Sequence, residues 1–366
     1  MNDPIASAPV LTALDMPAAS PGGSIELLYD LYTGPAPLID AQAFMLATDR
    51  PHAHPPTGVR LMSARGKCVD GDPFWAYVGR LRQALDEAVD PAKVEVIHLQ
   101  HLAFGASAAL TRSLPQHPAL SLVHGTDLLF AAAHPTQRQV LAETVAASRA
   151  VVVPTTAMAD RLIALHEPSR NARIEHIPWG IPDRLLHTPP LPRQPRQDEL
   201  RVLYAGRLTP EKGLDSVFLA LADTAGLQLS VAAPPEQYAS HALRSDRRHT
   251  YLGWLPRKRL WQEFADHDLL IVPSTILEAF GLVALEAQAC GLPVLYQPVP
   301  GLTEVLGDSA LSANLADPAI MNKIIRNLQA DPTILDDLRV AGLDNAARFP
   351  LSATAKLLTD LTQQIT

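Results

Sequence analysis

The chain has 366 residues, 47% of them hydrophobic, and a formal net charge of −8. It is therefore long enough for two domains with cores of their own, and too acidic for a general nucleic-acid binder. Cys68 and Cys290 are its only cysteines, which excludes a disulfide framework and a thiolate metal site.

The opening MNDPIASAPVLTALDM has no basic n-region and no long apolar stretch, so no secretory signal is expected. Nowhere do about 18 apolar residues run together uncharged. The expectation is a cytoplasmic protein without stable membrane association. Further along, short apolar runs alternate with longer amphipathic stretches. VLTALDM (10–16), VEVIHLQ (94–100), ALSLVHG (119–125) and AVVVP (150–154) read as buried parallel strands, with helical patterns such as DRLIALHE (160–167) among them. The alternation restarts at RVLYAG (201–206) and continues through LQLSVAA (227–233), DLLIVPS (268–274) and LPVLYQ (292–297). Two α/β doubly wound halves follow from this pattern. The proline-rich segment 187–199 reads as a linker between residues 1–186 and 200–348, and 349–366 carries a last amphipathic helix with no strand after it.

Two stretches are suited to chemistry. In GRLTPEKG (206–213) the loop beyond a strand's carboxyl end carries Arg207 and Lys212, with Gly213 before the next helix. Two cations and a helix N-terminus at that place suit a phosphate or diphosphate. The plainer alternative is a pair of solvated loop charges with Glu211 as a surface partner. In PSTILEAFGLVALEAQACGLPV (273–294), Glu278 lies in a loop, a helix begins near Gly281, and Glu286 lies within that helix. Backbone N–H groups at Gly281 would face a phosphate. Glu286 stands in an apolar segment and must find partners or face a cleft. Surface roles for both glutamates stay open.

These stretches, with YLGWLPRKRLWQEFADHDLLIVPS (251–274) and PGLTEVL (300–306), resemble the family-four retaining glycosyltransferases of GT-B fold. The likeness covers essentially all of 200–366. It is weaker in the first half, where PGG (21–23), VHGTD (123–127) and IPWGIP (177–182) carry it. The resemblance implies two Rossmann-like domains facing across a cleft, the first binding the acceptor and the second the nucleotide sugar, with the last helix crossing back. It implies that Arg207 and Lys212 grip the donor diphosphate, that Glu278 touches the donor sugar and that Glu286 holds the ribose hydroxyls. Backbone groups of Phe280, Gly281 and Leu282 would meet sugar and phosphate. His124 would face the reacting sugar, and Gly22 and Gly23 would lie beneath the diphosphate. Trp179 and Pro300-Gly301 depart from the family's usual Asn and paired glycine.

A retaining hexosyltransferase working by front-face substitution, with no metal and no cofactor beyond its nucleotide-sugar co-substrate, is the resulting expectation, with a UDP-sugar as first choice of donor. Residues 1–187 hold 14 Lys and Arg against 18 Asp and Glu, which favours a soluble polar acceptor over an anionic lipid surface. An aminocyclitol or other bacterial natural-product intermediate fits that charge. A retaining glycosidase using Glu278 and Glu286 is the rival, but it has no use for the cationic loop. A non-catalytic sugar-nucleotide binder is the other. No dinucleotide or P-loop fingerprint is present. Asp266 and Asp268 mimic a metal motif but read as a strand-start signal, and His52 and His54 lack a third ligand.

Overall fold

In the computed structural model, residues 10–18, 20–47, 57–191, 199–221, 225–241 and 249–366 are described. Residues 1–9, His52, His54 and positions 192–198 of the expected linker lie outside them. The chain divides into two compact units, Met1–Pro178 with Leu351–Thr366, and Trp179–Pro350.

The first unit is built on a parallel sheet of strands β1 (Val10–Pro17), β2 (Ala41–Leu46), β3 (Val59–Met62), β4 (Val96–Leu99), β5 (Ala119–Leu122), β6 (Ala150–Val153) and β7 (Ile174–His176). Their order is β3-β2-β1-β4-β5-β6-β7. The central strands VIHL, ALSL and AVVV are buried at every position, as apolar strands covered on both faces must be. Helices α1 (Gly23–Tyr32), α2 (Gly71–Ala88), α3 (Phe104–Ser113), α4 (Thr126–Ala133), α5 (Pro135–Ala147) and α6 (Thr156–Leu165) connect them.

The second unit opens with α7 (Asp183–His187) and carries strands β8 (Leu200–Ala205), β9 (Leu227–Ala232), β10 (His249–Gly253), β11 (Leu269–Val272), β12 (Val294–Tyr296) and β13 (Leu311–Ser312). They pair in the order β10-β9-β8-β11-β12-β13, again all parallel. The helices are α8 (Leu214–Leu221), α9 (Pro235–Ser240), α10 (Arg257–Asp266), α11 (Leu282–Ala289), α12 (Pro300–Leu306), α13 (Pro318–Ala330) and α14 (Thr333–Ala346). Asp268 receives the backbone N–H of Arg201 at 2.8 Å and its guanidinium at 2.7 and 3.0 Å. That buried pair clamps β8 to β11, so Asp268 is structural.

The last helix, α15 (Leu351–Ile365), belongs to the first unit. Its apolar face buries Leu351, Ala355, Leu358 and Leu361 at helical spacing. Thr362 Oγ1 lies 2.8 Å from His98 Nε2, and the Tyr32 hydroxyl lies 2.9 Å from Nδ1 of the same ring. One buried histidine of β4 thus ties α15 and α1 to the sheet. Among the described residues, no helix is long and apolar enough to cross a membrane.

Both sheets reverse their strand order once, between β1 and β4 and between β8 and β11. Those reversal points, at the carboxyl ends of the strands, are where open α/β sheets leave a crevice for ligands.

Candidate active site

In the second unit the loop after β8 is fixed from several sides. Gly206 N–H bonds the Ala232 carbonyl at 3.0 Å. Leu208 N–H donates to Gln237 Oε1 at 2.7 Å, and the Tyr204 hydroxyl donates to the Arg207 carbonyl. A short turn over Pro210–Lys212 ends at Gly213, whose φ is 67°. A Cβ at Gly213 would stand 2.2 Å from the Pro273 carbonyl oxygen. Only glycine satisfies both the backbone angle and that approach. Thr275 N–H then bonds the Glu211 carbonyl at 2.9 Å, lacing the loop after β8 to the loop after β11.

Lys212 and Glu278 meet at this lacing, Nζ to Oε2 at 2.5 Å, with the Ser274 hydroxyl donating to the same oxygen at 3.0 Å. Both side chains keep some exposure, 24% and 19%. Burial alone would raise the Glu278 carboxyl. The Lys212 ammonium, its hydrogen bond, Ser274 and Arg207 more than reverse this and hold it below the usual carboxylate value. Arg207 stands half-buried nearby, 3.8 Å from Glu211.

The loop after β11 turns into α11 at Gly281, a left-handed N-cap with φ 80° and no side-chain cap. Here a Cβ would lie 2.4 Å from Leu302. Phe280 is buried with its ring edge-on to Phe349. Leu282 begins the helix and is partly exposed. Gly301, at the start of α12, lies directly beneath this loop. A Cβ on it would come within 1.8 Å of the Glu278 carbonyl oxygen.

Glu286 is 6% exposed, and the partners it needs come from α10. Arg257 donates to Oε1 from Nε at 3.0 Å and from a terminal nitrogen at 2.5 Å, and the Trp261 indole donates to Oε2 at 2.7 Å. Arg257 and Trp261 were not singled out from the sequence. Their separation of four places them on one helix face, which was the available signal.

In the first unit Gly22 is the N-cap of α1, with φ 155° and open space where a side chain would be, and Gly23 is the first helical residue. Both follow β1, on the reversal point. His124 follows β5, its ring 5.0 Å from that of His101 beyond β4. Burial, with Lys67 adding to it, pushes His101 down to about 3, and burial followed by His101 carries His124 well below the ordinary histidine value. Both imidazoles are therefore neutral, fit for hydrogen bonding to hydroxyls and unfit as strong bases. Lys67 Nζ donates to the Asp15 carbonyl at 2.6 Å and lies 3.5 Å from its carboxylate. Phe104 is the one non-glycine residue with positive φ, 74°, among the described residues. Its N–H is held by Gln137 at 2.9 Å and its ring stands edge-on to His101. Such strain concentrates at functional turns. His101, Lys67 and Asp15 gave no sequence signal of their own.

Asp127 lies inside the first turn of α4 and accepts the N–H of Leu102 at 2.9 Å, so it bridges from α4 to the chain beyond β4 and is not the cap of that helix. Burial, against several backbone hydrogen bonds, pushes its carboxyl up to about 6. Among the described residues, no group of three or more His, Cys, Asp or Glu is placed to hold a metal.

Residues 39–185 match the family model Glycosyltransferase Family 4, and residues 192–332 match Glycosyl transferases group 1. D-inositol 3-phosphate glycosyltransferase 1 of Catenulispora acidiphila is 30% identical over 293 residues, 71% of this chain and 69% of that protein. The D-inositol 3-phosphate glycosyltransferase of Mycolicibacterium smegmatis is 30% identical over 57% of this chain and 51% of its own length. Of solved structures, sucrose-phosphate synthase from Thermosynechococcus elongatus has a TM-score of 0.78 at 20% identity, over 97% of this chain and 98% of that one. Anabaena HepE, solved with UDP and glucose, has a TM-score of 0.72 at 17% identity over 97% and 99%. At such identities the two structures speak to the fold alone. With two parallel Rossmann-like sheets and both halves matched, the chain belongs to the group 1, family-four glycosyltransferases of GT-B fold.

Proposed function

We propose that this glycosyltransferase moves a sugar from a nucleotide diphosphate sugar to a hydroxyl of a small polar acceptor, with retention at the anomeric carbon. The observation that carries the reading is the joining of Lys212 to Glu278 where the sheet of the second unit reverses, with Arg207 beside them. A fixed cation stabilises charge that develops on a departing diphosphate, and a carboxylate held ionised accepts hydrogen bonds from sugar hydroxyls. Backbone N–H groups from Phe280 to Leu282 at the start of α11 supply the complementary dipole. In this reading Glu286 holds the ribose. In the first unit, Gly22 and Gly23 offer backbone donors to a phosphate, and His124 orients sugar hydroxyls as a neutral imidazole.

Front-face substitution fits these groups. The bond from the anomeric carbon to the diphosphate breaks, the acceptor oxygen bonds to that carbon on the same face, and the acceptor's proton passes to the leaving diphosphate oxygen. No protein nucleophile and no metal are needed. A glycosidase would need a carboxylic acid with a raised pKa, whereas Glu278 is held low and Glu286 is enclosed by Arg257 and Trp261.

A UDP-sugar is the first donor to test, since HepE was solved with UDP. The acceptor class is a cyclitol or sugar hydroxyl. An aminocyclitol matches the acidic first half, and the relatives' names favour a phosphorylated cyclitol. Thermal shift with UDP, GDP and ADP on wild type and Lys212→Ala tests the donor site. A ligand at 100 times its Kd adds about 2.7 kcal/mol of stability. The expected result is stabilisation of wild type by one nucleotide and a much smaller shift in the variant. Equal shifts in both proteins, or none in folded wild type, would remove the assignment.

A further inference from the structure

Gln137 lies in α5, outside the loops that carry the site, and it is fully buried. A polar side chain at that depth must find partners, and both ends of its amide have them. Oε1 accepts the Phe104 N–H at 2.9 Å, and Nε2 donates to the Val69 carbonyl. The two partners belong to different loops. Val69 follows β3, just past Lys67, and Phe104 follows β4 and opens α3. The chain beside Val69 is also tied to the start of α5 by other groups. Asp70 Oδ1 accepts the Thr136 N–H at 3.1 Å, and the Gly71 N–H donates to Thr136 Oγ1 at 2.9 Å. What Gln137 adds is its hold on Phe104.

Phe104 has φ 74°, a conformation that a bulky residue adopts only where its surroundings force it. Leu102 N–H is held by Asp127 at 2.9 Å and Gly105 N–H by Asp15 at 3.2 Å, so the chain is fixed on both sides. The Gln137 bond falls on the strained residue itself. The conformation decides where the Phe104 ring goes. It stands edge-on to His101, 5.1 Å between centres, with Lys67 Nζ 5.9 Å from its own centre. The His101 ring in turn lies 5.0 Å from that of His124. A line of contacts thus runs from Gln137 through Phe104 and His101 to His124.

We propose that Gln137 is a positioning residue for the sugar-facing site of the first unit: it locks Phe104 in the left-handed conformation, and the Phe104 ring props His101 against His124. This rests on the proposed role of His124 toward the sugar hydroxyls, and it names the residue that sets the place of that imidazole from outside the site.

The test is a pH titration of the full chain, followed through the imidazole nitrogens by 15N NMR. His98 is the internal control, since it is equally buried but fixed by Tyr32 and Thr362. Burial holds His98, His101 and His124 far below the ordinary histidine value, so in wild type all three should stay neutral down to about pH 5. Gln137→Met keeps the length of the side chain and removes both hydrogen bonds. Phe104 can then relax and uncover His101. His101 and His124 are expected to begin protonating above pH 5, while His98 stays neutral. Phe104→Gly takes the same φ without strain and removes the ring, so it should move the same two signals. It also leaves Gln137 no strained residue to hold. Gln137→Met in the Phe104→Gly background should therefore fold, even where the single variant does not, and change the pattern no further. Wild-type behaviour of His101 and His124 in folded Gln137→Met, or His98 moving with them, overturns the proposal. So does a double variant that differs from Phe104→Gly alone. Calorimetric titration with UDP, GDP and ADP separates this from the donor site. The tightest of the three should bind the variants within twofold of wild type. Absence of binding to wild type by all three removes the donor-site reading, and leaves the coupling of Gln137 to His124 to be decided by the histidine signals.

Discussion

Gly301→Ala separates the shape of the donor loop from its charges. Gly301 carries no charge and lies outside the stretches that hold Lys212 and Glu278. Its backbone angles are ones alanine can adopt, since it is not among the positive-φ glycines, so any effect must come from space. A Cβ there would stand 1.8 Å from the Glu278 carbonyl oxygen and 3.2 Å from that of Ala279. The contact must open by about 1.2 Å to reach the 3.0 Å below which real Cβ contacts are essentially never found. The obstructing atom is main chain and cannot swing aside as a side-chain tip could. Overpacking of this kind costs about 1–3 kcal/mol.

The movement would fall on the residue whose carboxylate meets Lys212 at 2.5 Å and Ser274 at 3.0 Å. An error of about 1 Å in a reacting constellation costs about 100-fold in rate. Gly301→Ala is therefore expected to lose about two orders of magnitude in kcat/KM for sugar transfer, with 1–3 kcal/mol lost in urea denaturation. Gly79→Ala is the control. It lies in α2 with nothing within 4 Å of the added Cβ, so it should gain up to about 1 kcal/mol of helix stability and leave kcat/KM unchanged. If Gly301→Ala stays within twofold of wild type in kcat/KM, the claim that this glycine sets the position of Glu278 is wrong.

Asp127 gives a pH-dependent prediction. Its carboxyl is raised by burial from 3.8 to about 6 in the folded chain. Between those values the folded state keeps a proton that the unfolded state has released, so this residue's contribution falls as pH rises through the window and is lost above it. Two pH units correspond to about 3 kcal/mol. Urea midpoints at pH 4 and pH 7 should show wild type losing more stability across the interval than Asp127→Asn, which retains an oxygen for the Leu102 N–H. Identical slopes would count against the raised value. Thr362→Val keeps the shape of α15 but removes the hydroxyl at 2.8 Å from His98 Nε2. Leaving that buried nitrogen unpaired should cost about 1–3 kcal/mol in the same assay, and an unchanged midpoint would mean the helix is held by its apolar face alone.

How legible the molecule was in its sequence follows from where each element lies in its sheet. Runs such as AVVV and LLIV are central strands, covered on both faces, and their unbroken apolar character announces them. Strands β3, β7, β10 and β13 form the outer edges of the two sheets. VRLM and HTYLG are partly exposed there, so they carry no continuous apolar run and went unread. The remaining strand missed, AQAFML, begins with two half-buried residues and reads equally well as helix. Arg207, Lys212, Glu278 and Gly281 lie in two contiguous loops with recognisable spacing. The groups that went unread act across long separations. Lys67 reaches back 52 residues to Asp15, and Arg257 reaches 29 residues forward to Glu286. No local periodicity carries such pairings, and Gly301 is explicable only once the loop above it is in place.

The pairing of charges in the second unit bears on how tightly a donor can be held. Lys212 faces Glu278, Arg207 faces Glu211 and Arg257 faces Glu286. Each cation of the proposed donor site thus has a carboxylate partner of its own. A diphosphate arriving there gains the attraction of Lys212 only by sharing it with Glu278, so the net gain is the difference between two ionic hydrogen bonds, smaller than either. That sharing has a chemical use. As Lys212 turns toward phosphate, Glu278 Oε2 keeps the Ser274 hydroxyl and gains an open acceptor site, at the side of the loop where the resemblance places the donor sugar. Diphosphate affinity and sugar recognition are then coupled through one ion pair. Neutralising Glu278 should tighten binding of the bare nucleoside diphosphate, while weakening discrimination among the sugars attached to it.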